Sequence, residues 1–247
     1  MAGNPYTETG EKFRIPDMLA NRADIYNLGD VIGNSSSLFE LSLIENALTS
    51  NPILAQLASR NMEDIYPLLK MAETGQKDGF DLQGNHSKQE IETYISILDK
   101  VLKIRDVVLK VNATYIESAA MEDAYRTEPP FKLQGSYRDM NKLVGKIEPV
   151  LNDSELSAIL LSHYQNETQT LTGAAEANLL KYKEISGIIG DDEKDRWNAI
   201  KEIFVKNNKL KGFGNKSEMA HVLQQITEFT SHIEGIKLAI REGLEKR

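Results

Sequence analysis

Gly135-Ser136-Tyr137-Arg138 is the stretch whose residue types and spacing best suit chemistry. A Gly-Ser turn that opens a helix would place Arg138 in its first turn. There a planar, permanently charged guanidinium can bind two oxygens of a phosphate at once. The free N–H groups of a helix start carry the same electrostatic sign. The competing reading of the same residues is a plain helix cap carrying a solvated arginine.

Other chemistry is sparse. Gly212-Phe213-Gly214-Asn215-Lys216-Ser217 comes nearest to a phosphate-cradling glycine loop. It has Asn215 where that loop needs its second glycine, Leu210 where it needs the first, and no strand before it, so a helix-joining loop is expected. No run of four apolar residues ends in Asp-Glu. Without the loop lysine, its hydroxyl for Mg²⁺ and that acidic pair, the chain holds no complete set of groups for hydrolysing ATP. The four histidines, His86, His163, His221 and His232, are scattered without a His–His pair at i,i+4; His163, beside Tyr164, is expected to be packed or surface-exposed rather than a base. Asp191–Asp195 lacks the spacing of a calcium loop and reads as a solvated, dipole-complementing helix start.

Stepping outward to the elements that must hold these residues, Ser36 onward is helical. Leu38, Leu41, Ile44 and Leu48 sit at 3–4 spacing, and Asn51-Pro52 stops that helix. Helices are expected over 52–58 and 62–72, the latter with Ile65, Leu68, Leu69 and Ala72 inward. Gly75–Asn85 reads as a flexible loop. A long helix over 87–126 starts at a Ser87/Glu90 capping box and has a polar rim at Arg105 and Asn112. Helices follow over 154–166, 172–186 and 191–205, the last with Trp197, Ile200, Ile203 and Phe204 inward, then a basic loop over 206–216. Met219, Val222, Ile226, Phe229, Ile233, Ile236 and Ile240 keep heptad spacing and predict a helix burying one narrow face. Residues 1–30 are turn-rich, with one short strand-like run, Ala23–Leu28.

At 247 residues, 40% hydrophobic and 27% charged, the chain has the composition of a globular protein able to bury a sizeable core. No apolar run is long enough for a membrane span, and the first residues lack the apolar core of a signal peptide. The absence of cysteine excludes disulfides and thiolate metal sites and fits a reducing cytoplasm, the expected location. A net charge of −8 opposes nucleic-acid binding by bulk attraction.

The Gly-Ser-x-Arg helix start resembles the sensor-2 motif of AAA+ ATPases. Asn4-Pro5, Gly10, Ile15-Pro16 and Asn21-Arg22 follow the order of sensor 1, hairpin loop, Pro-led helix and arginine finger in MoxR-type members. LFELSLIENALTSNPIL, PPFKLQGSYRDMNKL and QTLTGAAEANLLK are similar to the C-terminal half of the large bacterial MoxR-like proteins called DNA-repair ATPases, although nothing in these residues reads DNA. Tyr137 stands where many of those relatives have proline. The resemblance implies a mainly α fold: an α/β-core remnant over 1–35, a helical lid over 36–148 and a helical extension over 149–247. It implies that Asn4, Arg22 and Arg138 serve ATP hydrolysis, with Gly135, Ser136 and Arg138 at the nucleotide. ATP and Mg²⁺ would be the cofactors, and the partners a polypeptide bearing the phosphate loop or neighbouring subunits of a ring. The chain alone should bind ATP weakly or not at all. Two other readings stay open: a helical interaction module acting through Met219–Ile240, and a DNA-binding subunit.

Overall fold

The computed structural model describes residues 36–76, 79–171 and 173–211. These hold eight α-helices and three short 3-10 turns, and no strand occurs among the described residues. The mainly α expectation is met. The expected core remnant over 1–35 and the heptad helix Met219–Ile240 lie outside the described residues.

Local chemistry sets most helix ends. Helix α1 (Ser36–Ala47) runs through a 3-10 turn to Asn51. Asn51 is more than a stop: its side chain accepts from the amides of Ile53 and Leu54 and so starts α2 (Pro52–Arg60), with Pro52 at the first helical position. The same buried side chain donates to the carbonyls of Val144, 3.2 Å away, and Ile147, 3.0 Å away. Helix α3 (Ile65–Thr74) ends on Gly75, whose φ of 70° is the left-handed cap that glycine adopts without steric cost. Helix α4 (Lys88–Ala120) begins at the Ser87/Glu90 capping box and contains neither glycine nor proline over its 33 residues. Helix α5 (Tyr137–Val144) follows an extended segment, and α6 (Asp153–Thr168) starts at an Asn152/Glu155 capping box. Helices α7 (Ala175–Ile185) and α8 (Asp191–Lys211) complete the order.

Two apolar clusters form around α4. The larger joins Leu43, Ile44 and Leu48 to Leu54 and Leu57, to Ile65, Leu68 and Met71, and to Leu98, Val101, Ile104 and Val108 of α4. Met140 and Leu143 of α5, and Leu156 and Leu160 of α6, close it. The smaller joins Val111 and Tyr115 of α4 to Phe131 and Leu133 of the extended segment, Tyr164 of α6 and Tyr182 of α7. Lys100 is buried on α4 with its ammonium donating to Ser96 and to the Pro149 carbonyl; burial pushes its pKa down.

The chain differs from expectation in several places. Leu38 is 68% exposed although its spacing fits the stripe: full burial begins at Leu43 and Ile44 and continues through Ala47 to Leu48 of the turn that follows α1. The segment 79–87 is pinned rather than loose: buried Asp64 accepts from the amides of Gln83 and Gly84 and from the His86 ring. Helix α4 stops at Ala120, and Asp123–Tyr125 forms a separate 3-10 turn. There buried Arg126 donates to Asp123 Oδ1 and to the Met121 carbonyl, taking over an acceptor that a continuing helix would use. Helix α8 runs through Lys206–Lys211, since no helix breaker occurs before Gly212. On it Trp197 is buried as expected, whereas Ile203 is 56% exposed.

The described residues divide into two compact units, 36–120 with 130–194 and 121–129 with 195–211. Leu156 and Leu160 of α6 pack into the same core as α1 to α5. In the second unit, Asn208 donates to the Asp123 carbonyl and Lys201 lies 5.3 Å from the Trp197 ring centre.

Candidate functional site

The site is built where the extended segment turns into α5. Gly135 lies so close to α4 that a Cβ there would meet the Val108 carbonyl oxygen at 1.9 Å and the Asn112 nitrogen at 2.9 Å. Only glycine lets the segment pass against the helix backbone at this depth. One residue later Ser136 is the N-cap: its hydroxyl accepts from the Asp139 amide while the Asp139 carboxylate accepts from the Ser136 amide at 3.0 Å and from its hydroxyl at 2.5 Å. The first helical residue, Tyr137, is held to α1, its hydroxyl 2.7 Å from Ser42 Oγ and its ring edge-on to Phe39. Tyr137 therefore anchors the helix start from a second side.

Arg138 is the second residue of α5. It is exposed and makes no hydrogen bond or ion pair among the described residues. It borders a cleft of about 230 Å³ shared with Lys132, Ser136, Asp139, Lys142 and Glu167. Gly135, Ser136 and Arg138 are thus brought together as a capped helix start with an unpaired guanidinium. Asn4 and Arg22, the other expected catalytic residues, and the loop Gly212–Ser217 lie outside the described residues.

The cleft also holds a group that the sequence pattern did not single out. Asp139 and His163 are both buried, with His163 Nε2 donating to Asp139 Oδ1 at 3.2 Å. Burial alone would raise the Asp139 pKa, but the hydrogen bonds from His163 and Ser136 outweigh it and hold the carboxyl below its ordinary value. Glu167, one turn along α6 from His163, pairs with Lys142 at 3.0 Å. One ligand atom each from Asp139, His163 and Glu167 lies within 4.8 Å of the other two. Next to His163, the buried Tyr164 hydroxyl has no hydrogen-bond partner among the described residues. Burial first, then the charges of Asp139, Tyr182 and Glu167, raise its pKa well above the ordinary tyrosine value.

Ser136, Asp139 and His163 do not form a nucleophile relay. The carboxylate stands between hydroxyl and ring, so the imidazole has no direct path to the serine proton. Two spacings in the sequence could have marked the group, S-x-x-D at Ser136 and Asp139 and i,i+4 at His163 and Glu167, but neither was singled out. His163 is packed, as one of its two sequence readings held, but as the partner of a buried carboxylate. The acidic start of α8 is a set of local pairs, Asp191 with Lys194 and Glu193 with Lys183 and the Gly190 amide.

Searches against protein families, curated proteins and solved structures return no match for this chain.

Proposed function

We propose that the chain is the C-terminal part of a MoxR-like AAA+ ATPase, in which Arg138 acts as sensor 2 on the nucleotide phosphates. The observation that carries this reading is Arg138 itself: exposed and without a partner among the described residues, at the second position of a helix whose start is fixed by Gly135, Ser136 and Tyr137. An arginine with no partner in a rigid setting is preorganised for an anion, because no ion pair has to be broken first. On the same cleft Lys132, Arg138 and Lys142 outnumber the carboxylates Asp139 and Glu167, so its field is weakly positive. In this reading Asn4 orients the attacking water and Arg22 reaches a neighbouring subunit's nucleotide. ATP and Mg²⁺ sit mainly on a phosphate loop supplied by another polypeptide or by a further part of the same one, and several copies work as a ring that remodels a substrate.

The test is ATP turnover by the polypeptide bearing the phosphate loop, alone and together with this chain, or with the two joined as one polypeptide. Turnover should require the chain and fall at least about tenfold in Arg138→Ala, the loss expected for one charge-assisted phosphate contact. Arg138→Lys should recover only part, since a point charge lacks the two-pronged geometry. Arg138 has no partner to lose, so the variant should fold as the parent does. Turnover unchanged by Arg138→Ala would sink the proposal.

A further inference from the structure

We propose that Asp139, His163 and Glu167 bind a divalent transition-metal cation of the zinc type through one imidazole nitrogen and two carboxylate oxygens, with the remaining coordination position open to the cleft. This inference stands apart from the nucleotide reading.

The donor set is the mixed nitrogen and oxygen kind that such cations accept. Donors about 2.0–2.2 Å from a tetrahedral ion lie roughly 3.4 Å from one another. Asp139 Oδ1 and His163 Nε2 are already 3.2 Å apart. The wider separations, all within 4.8 Å, close by a turn of Glu167, whose side chain is 39% exposed. His163 and Glu167 project from one face of α6, one helical turn apart, and Asp139 faces them from α5. Ser136 holds Asp139 Oδ2 through both its hydroxyl and its amide, which leaves Oδ1 turned toward His163. Such outer hydrogen bonds are what orient a metal-binding carboxylate.

The cleft supplies what a merely structural carboxylate–histidine pair would lack, a route from solvent and room for a fourth ligand, because Asp139 and Glu167 both line it. Binding replaces two interactions. The imidazole gives up its Nε2 hydrogen bond to Asp139 and offers the Nε2 lone pair to the cation, the displaced proton passing to Nδ1 or to solvent. Glu167 leaves Lys142, an exposed pair that is weak to begin with. Lys142 opposes the cation by charge, so it limits the affinity and favours an anion at the open position.

The experiment is a titration of the full chain, free of nucleotide, with Co²⁺ as the visible-absorbing probe and Zn²⁺ in competition. One equivalent should bind with the absorption of a low-coordinate ion, and Glu167→Gln should weaken binding at least about tenfold. Lys142→Ala should tighten it. Glu167 and Lys142 are exposed enough for these variants to keep the parent's circular dichroism, which His163→Gln, a buried change, need not do. Absence of one-equivalent binding overturns the proposal. So does binding that Glu167→Gln weakens less than tenfold, since the cation would then belong to other histidines, or binding that Lys142→Ala fails to tighten.

Discussion

Replacing Gly135 by alanine tests the packing that sets the site. The added Cβ would lie 1.9 Å from the Val108 carbonyl oxygen and 2.9 Å from both the Val108 carbon and the Asn112 nitrogen. All three atoms belong to the backbone of α4, where no side chain can rotate away. Reaching ordinary contact requires the segment to move out by roughly 1.5 Å, and overpacking of that kind costs about 1–3 kcal/mol. The move would also lift Phe131 and Leu133, buried on either side of Lys132, from the aromatic cluster. A gain works in the other direction: alanine loses less backbone freedom than glycine on folding, worth about 0.4–1 kcal/mol where the backbone is compatible. A 1.9 Å contact with backbone puts the steric term at the upper end of its range, so a net loss of about 2 kcal/mol is expected in urea denaturation. The thermal midpoint should drop by several degrees, at about 2–4 °C per kcal/mol for a chain of this size. A midpoint equal to or above that of the parent would refute the close-approach argument, and with it the account of how Arg138 is aimed.

Asn51→Ala should cost about 2–4 kcal/mol in the same assay, since it removes the cap of α2 and leaves the Val144 and Ile147 carbonyls without their donor. Asn51→Asp keeps the cap but faces those carbonyls with oxygen, so it should be no better than alanine; full stability in the aspartate variant would show the two carbonyl bonds to be idle. Acid should destabilise the fold through Asp64. Burial opposes its charge, but the Gln83 and Gly84 amides and His86 together hold its pKa below the ordinary carboxyl value. A depressed carboxyl stabilises the fold above its unfolded pKa, about 3.9, and that contribution disappears as pH falls through the lower folded value. Asp64→Asn should therefore lower stability at neutral pH and flatten the decline below about pH 4 seen by circular dichroism; a parallel decline in both proteins would remove Asp64 from the explanation.

The elements that were readable in advance are those governed by neighbours in sequence. The Ser87/Glu90 box, the Gly-Ser entry to α5 and the inward face of α3 all follow from spacings of three or four residues. What escaped depends on distant partners. The 79–87 segment looks loose because its glycines are visible and its anchor, Asp64, is roughly twenty residues away. Asp139 and His163 are separated by 24 positions, and nothing local marks either as the other's partner. On α4, Ile97 and Ile104 are buried along with Leu98, Val101 and Val108, a wider band than one helix face, because distant elements cover the helix on more than one side. Leu38 differs for another reason: its spacing fits the stripe of Ile44 and Leu48, but full burial along α1 begins only at the turn of Leu43 and Ile44.

Helix α4 has one more consequence. At 1.5 Å per residue it is about 50 Å long, and Leu98 to Val108 belong to one apolar cluster while Val111 and Tyr115 belong to the other. A shared rod of this kind couples the two clusters, because unwinding α4 where they meet removes residues from both. The amides with the slowest hydrogen exchange belong near Ile104–Val111, where the clusters meet, and opening there amounts to global rather than local unfolding.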